Sequence, residues 1–333
     1  MSLAGWMSRQ PWCNPHQVTP VKILIAGATG VIGRQLVPKL IANGHEVAGT
    51  TRTPSRQDRL EEMGATPVVL DILDADAVGA AVAHFEPEVI VHEATALSSV
   101  DMRKFERSFE VTNRLRTEGI DHLLAAGRAV GIRRFVAQSF AGWPFARIGS
   151  LVKTEDDPLD PDPIGPMRTT IAAIRHLEAA VTGAEWTEGI ALRYGALYGP
   201  GTSLDTDGGE MTEMIRRRFF PIVGDGAGMF SFLHVADAAD ATVAAIERGT
   251  RGVYQVVDDE PAPLREWLPV VADSLGAPPP RRIPVWLARL IAGEMLVTMA
   301  TETRGASNER AKRDLAWTPR HASWRDHLGR EAA

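Results

Sequence analysis

Three glycines in the run ILIAGATGVIG, namely Gly27, Gly30 and Gly33, stand at the spacing of a turn that carries a strand into a helix around a phosphate. Gly27 permits the tight turn, Gly30 lets the backbone approach a pyrophosphate, and Gly33 lets the helix pack close to the strand. Thr29, Val31 and Ile32 belong to the same turn and are expected to touch the same ligand. Such a turn binds a dinucleotide, and a purely steric use of glycine is the bland alternative.

At the end of the next strand-like run a carboxylate would grip the adenosine ribose hydroxyls of NAD. The sequence there reads Thr50, Thr51, Arg52, Thr53, Pro54, Ser55, Arg56. Two guanidiniums suit a 2′-phosphate, so the expected cofactor is NADP, with NAD as the alternative and solvated loop arginines as the plain reading. Asp71, followed by Ile72, could accept a hydrogen bond from the adenine amino group, or could cap the following helix together with Asp74.

These residues need a scaffold, and the surrounding pattern supplies one. Val21–Ala26 is an apolar run ending in glycine, as in a parallel strand buried on both faces. Ile32–Asn43 has helical spacing before Gly44. Strand-like runs recur at Glu46–Thr50, Pro67–Leu70, Glu88–His92 and Arg134–Gln138, with helical patterns at Gln57–Met63, Ala75–His84 and Thr112–Val130 between them. That alternation predicts an α/β fold with a doubly wound parallel sheet of the Rossmann kind.

The stretch from Glu155 to Pro166 is rich in aspartate and proline and reads as a loop near the site. A helix over Thr169–Thr182 and a strand over Gly189–Tyr194 return to the sheet. Residues 1–20 read as a flexible leader, 21–198 as the main dinucleotide-binding domain, and 199–330 as a smaller, mostly helical C-terminal substrate lobe. A segment near 229–258 is expected to return to the main domain.

The 333 residues carry a formal net charge of −6, so no broad basic field is available for nucleic acid. The single Cys13 can build neither an internal disulfide nor a CxxC metal site, and the nine histidines show no ligand spacing; no metal is expected. Val285–Ala300 is interrupted by Arg289 and Glu294 and is shorter than the roughly 20 apolar residues that span a bilayer. A cytoplasmic protein with a small-molecule substrate is the expectation, with room for a homodimer.

The chain resembles the extended short-chain dehydrogenase/reductase family, of the NAD-dependent epimerase/dehydratase type, from Val21 to about Trp317. The likeness is carried by GATGVIG, the DILD of Asp71–Asp74, the HEATA of His92–Ala96, Asn113, the LRYGALYGPG of Leu192–Gly201 and the FLHVADAADA of Phe232–Ala241. It implies that Ala94, Thr95 and Ala96 pass along the cofactor. It also implies that Gln138 and Ser139 end a strand facing the nicotinamide, with Tyr194–Leu197 at the same end.

The resemblance further implies a Tyr-x-x-x-Lys pair, whose phenol moves a proton while the lysine holds the ribose and lowers the phenol pKa. Counting back from Glu178, those places fall at Thr170 and Ile174, and the three tyrosines are Tyr194, Tyr198 and Tyr254. The pair is absent. The catalytic residues expected are therefore Ser139, to orient substrate, and Tyr194 as proton donor, with His176 or water as substitutes for it. Ala137 and Ala141 stand where a serine hydrolase's elbow glycines would be.

The expected activity is NAD(P)-dependent oxidoreduction of a small carbonyl or alcohol with a non-standard proton donor. An isomerase, epimerase or dehydratase using bound NAD(P), and an NADP-binding redox sensor or structural module without turnover, are the alternatives. Trp143 and Phe145 suggest an apolar wall, hence a substrate less polar than a nucleotide sugar.

Overall fold

The computed structural model describes residues 19–97 and 104–329; the expected leader, with Cys13, lies outside them up to residue 18. The strands run in chain order as β1 (Lys22–Ala26), β2 (Glu46–Thr51), β3 (Thr66–Val69), β4 (Val89–His92), β5 (Arg134–Phe140), β6 (Val152–Lys153), β7 (Glu188–Tyr194), β8 (Ala196–Tyr198), β9 (Ile222–Val223), β10 (Met229–Phe230), β11 (Phe232–His234) and β12 (Gly252–Val256). The helices are α1 (Gly33–Ala42), α2 (Gln57–Glu62), α3 (Ala75–Phe85), α4 (Phe105–Arg114), α5 (Ile120–Val130), α6 (Arg168–Thr182), α7 (Glu210–Arg216), α8 (Val235–Arg248), α9 (Leu264–Ser274) and α10 (Val285–Thr301).

Seven of the strands pair in parallel in the order β12-β7-β5-β4-β1-β2-β3. The winding reverses between β1 and β4, and a crevice at the carboxyl ends of those two strands is where such a sheet receives its ligand. The period-two alternation explains the two-sided core. Ile23, Ile25, Val91 and Val136 meet Leu36, Leu40, Ala238 and Ala241 of α1 and α8. Leu24, Ile90, Phe135 and Ala137 meet Val78, Leu123, Leu177 and Val181 of α3, α5 and α6 on the opposite face.

One expected helix proves to be different. The pattern over Thr112–Val130 is the end of α4, a π-helical turn at Leu115–Gly119, and α5, and the helix begins earlier, at Phe105. A π turn inserts one extra residue per turn and so re-aims the side chains beyond it.

The later lobe packs α7, α9 and α10 with short strand pairs around Trp267, Phe232, Leu268 and Trp324. Helix α10 is interrupted at Gly293, whose φ of 84° breaks it into two pieces. Among the described residues no helix is long and apolar enough to cross a membrane.

Candidate active site

A cleft of about 1580 Å³ runs from the glycine turn, across the carboxyl ends of β1, β4, β5 and β7, into the later lobe. Its first stretch is built by close backbone approach. Gly27, at φ +93°, lies so near β4 that a Cβ there would stand 2.7 Å from the Ala94 nitrogen. A Cβ on Gly33 would stand 2.5 Å from the Ala28 carbonyl oxygen, so α1 can start only where glycine is. The turn leaves amides at the amino end of α1 facing a cleft wide enough for a pyrophosphate.

Of the residues expected to hold a cofactor, Gly27, Thr29, Gly30, Val31, Ile32, Gly33, Arg52, Arg56, Ile72, Ala94, Thr95 and Gln138 line this cleft. Asp71 and Ala96 do not. The Asp71 carboxylate is exposed and accepts the Leu73 N–H at 3.0 Å, Asp74 caps α3 through the Ala77 N–H, and the Ala96 N–H donates to Thr112 Oγ1 at 3.0 Å.

The sequence reading missed two arginines near Arg56. Burial, then the charges of Arg59 and Arg56, lowers the pKa of Arg34. Among the described residues no carboxylate lies within salt-bridge reach of Arg34, Arg52, Arg56 or Arg59. Arg34, Arg56 and Arg59 thus stand close enough to feel one another's charge.

At the reactive end, neighbouring residues of β5 face opposite ways. Gln138 and Phe140 line the cleft. Ser139 is 1% exposed and points into the α6 side, where its Oγ donates to Glu178 Oε1 at 2.6 Å. The same carboxylate receives both Arg193 nitrogens, Nε and Nη2, at 2.7 Å. Ser139 thus belongs to a buried Ser–Glu–Arg knot that joins β5, β7 and α6, and the side chain on the cleft is the phenyl of Phe140.

Tyr194 does line the cleft, but its hydroxyl is tied down: it lies 3.0 Å from Glu93 Oε1 and 2.6 Å from Thr242 Oγ1. Burial first, then the Glu93 charge, pushes its pKa well above the ordinary phenol range. His176, the other suggested donor, sits at the surface against Asp121 at 2.8 Å and does not line the cleft.

Glu93 was not singled out from the sequence, yet it is the acid lining the cleft just after β4. Burial raises its pKa to about 8, partly opposed by the Tyr194 hydrogen bond. The Gln138 amide, in its hydrogen-bonding orientation, donates to Glu93 Oε2 at 3.2 Å.

The Tyr-x-x-x-Lys places are closed over. Thr170 is fully buried and accepts from the Asn113 amide at 3.1 Å, and Ile174 is buried in an apolar cluster with Phe105, Phe109, Phe145 and Ile171. Phe105 and Phe109 stack at 4.3 Å, and Phe140 packs on Trp143 at 5.6 Å. Neither Thr170 nor Ile174 reaches the cleft.

In the later lobe the lining joins an apolar set, Met211, Phe219, Phe220, Phe230, Leu296 and Met299, to the acids Asp205, Asp207 and Glu210. Away from the cleft, His234, Asp237 and His321 bring ligand-type atoms within 4.8 Å of one another. Asp237 there accepts the Arg320 and His321 N–H groups at 3.0 and 2.9 Å, which fastens the C-terminal segment to the start of α8.

Residues 23–257 match the model of the NAD dependent epimerase/dehydratase family. The chain belongs to that family. Relatives of the chain include proteins named as reductases and as epimerases.

The chain is 46% identical over 312 residues to the 3-diazoavenalumate denitrifying reductase of a Streptomyces species, covering 93% of this chain and all of the relative. In structure it resembles the UDP-glucose 4-epimerase of Thermotoga maritima, solved with UDP-glucose (TM-score 0.73, 21% identity, 93% of this chain and 97% of that one). It also resembles the UDP-glucose 4-epimerase of Thermus thermophilus, solved with NAD (TM-score 0.65, 24% identity, 90% and 94%). These two structures share the epimerase/dehydratase fold with this chain.

Proposed function

We propose that this family member is an NADP-dependent reductase that removes the diazo group of an aromatic compound as dinitrogen. One observation carries the reading: Thr170 and Ile174, at the places where the resemblance puts the Tyr-x-x-x-Lys pair, are buried out of the cleft, and the β5 side chain beyond Gln138 on the cleft is the phenyl of Phe140, so no acid stands where that pair would act.

Hydride addition to a carbonyl leaves an alkoxide that must be protonated. An arenediazonium carbon makes no such demand. A C–H bond forms there from the hydride's electron pair, the C–N bond breaks and its pair departs with N₂, so a single hydride, carrying both electrons, completes the reaction. The Streptomyces relative, named for a diazo substrate and for denitrifying it, supports the same chemistry, as do the aromatic and methionine side chains lining the later lobe.

In this reading the Gly27–Gly33 turn holds the pyrophosphate. Arg52 and Arg56, with Arg34 and Arg59 close by, hold the 2′-phosphate. Ala94, Thr95 and Gln138 flank the reactive end, where the bound cofactor supplies hydride. Ser139 acts at one remove, fixing β5 and β7 through Glu178 and Arg193. Tyr194 and Glu93 form a dry polar floor.

Glu93 favours a second reading. A carboxyl that keeps its proton at neutral pH on the cleft wall could serve carbonyl reduction.

The test is titration of the purified chain with NADPH and NADH, followed by turnover with an arenediazonium ion and with ketones. Loss of the nicotinamide absorbance, N₂ release, and deuterium on the ring carbon when the cofactor carries deuterium at C4 are expected. Oxidation of NADPH by ketones alone would replace this reading with the second; binding without any turnover would leave a sensor.

A further inference from the structure

Arg116 stands in the second position of the π turn that follows α4, and it lines the cleft. It is 4% exposed, and among the described residues its guanidinium makes no hydrogen bond or ion pair; Nη1 is fully buried without a partner. Burial lowers its pKa to about 10 while the Glu178 carboxylate opposes the shift. That carboxylate is already engaged by Arg193 and Ser139.

A buried cation without a counter-group is costly, and structures keep one where something else completes its bonding. The neighbours say where that something lies. One turn before Arg116, Asn113 reaches Thr170 of α6; two turns further along α6 is Glu178, whose field Arg116 feels. The two contacts bracket Ile174. On the strand side, the Leu115 carbonyl is bonded to His92 at 3.1 Å, at the end of β4 just before Ala94 and Thr95. Arg116 is therefore held on the cleft between the β4 end and α6.

We propose that Arg116 binds the nicotinamide-ribose half of the dinucleotide, supplying from the π turn the cation that α6, with Ile174, lacks. The proposal rests on the cofactor reading above. Its five N–H donors in a rigid fork can span adjacent ribose hydroxyls or a bridging phosphate oxygen, which one ammonium could not do in the same way.

The test uses the full chain and its Arg116→Met and Arg116→Lys variants, with NADPH and 2′,5′-ADP as ligands in calorimetric titrations. The second ligand carries the adenine end and its phosphate but no nicotinamide half. Arg116→Met is expected to weaken NADPH by about 10- to 100-fold and to leave 2′,5′-ADP unchanged, with Arg116→Lys recovering part of the loss. The ligand-free Arg116→Met protein is expected to melt no lower than the parent, because an uncompensated buried charge has been removed. Unchanged NADPH affinity, or equal weakening of both ligands, would overturn the assignment. Failure of the parent chain to bind either ligand would overturn the cofactor reading together with it, a result distinct from both.

Discussion

Ser139 and Glu178 are joined by a 2.6 Å hydrogen bond inside the sheet–helix interface, so the serine of β5 faces α6 and not the cleft. A catalytic serine must touch the reacting oxygen; this one touches a carboxylate that also holds Arg193.

Ser139→Ala is accordingly expected to act on stability. Loss of a hydrogen bond to a charged group should lower the unfolding free energy by about 1.5–3 kcal/mol, measured by urea denaturation. Turnover per folded molecule should stay within about threefold of the parent, since catalytic hydroxyls contribute far more. A hundredfold loss at full folding would put the hydroxyl back at the substrate.

Tyr194→Phe removes a hydroxyl held between Glu93 and Thr242. The expected outcome is a loss of about 0.5–1.5 kcal/mol in stability with kcat little changed. A flat, near-zero kcat across pH would instead mark Tyr194 as the donor.

Arg52→Ala should weaken NADPH by about 10- to 100-fold, the worth of a charge-assisted hydrogen bond, with NADH binding almost unaffected. Equal loss for the two dinucleotides in parallel titrations would sink the NADP assignment.

Glu93 carries a folded-state pKa raised from its ordinary 4.5 to about 8. The folded chain therefore holds a proton that the unfolded chain gives up from about pH 4.5 upward. Its contribution to stability is complete below the unfolded pKa and is lost as pH rises through about 8. Asp258, raised by burial to about 8, adds a dependence of the same sign. Glu93→Gln should raise the melting temperature more at pH 8 than at pH 5.5, leaving the Asp258 slope behind. An identical shift at both pH values would show that Glu93 is ionised in the fold.

Much of the architecture was written in the chain's alternation. The apolar run at Val21–Ala26 and the strand-like runs at Glu46–Thr50 and Glu88–His92 became β1, β2 and β4, short segments buried on both faces of the sheet. The missing Tyr-x-x-x-Lys pair was equally plain from Thr170 and Ile174.

The phase of β5 was legible but easily overlooked. Ser139 and Gln138 are adjacent, and adjacent strand residues cannot face the same side, so the two could not share the cleft. Arg116 was hidden for a different reason. It sits among Arg114, Glu118 and Asp121 in a charged helical run where an arginine reads as a solvated group, and only its burial sets it apart. Glu93 lay in an apolar run, where a lone carboxyl signals either a satisfied structural group or a tuned one, and burial alone decides which.

The burial of Thr170 and Ile174 behind the cleft has one more consequence for the proposed substrate. Arenediazonium ions couple to phenolates to give azo dyes and to amines to give triazenes. A low-pKa tyrosine beside a lysine would therefore be consumed by the compound it was meant to reduce. This cleft offers neither: no lysine lines it among the described residues, and Tyr194, the one phenol on it, is held firmly protonated. A Thr170→Tyr, Ile174→Lys protein that folds with both new side chains on the cleft should stain itself, gaining a visible azo band and losing activity with each turnover attempt, whereas the parent should stay colourless.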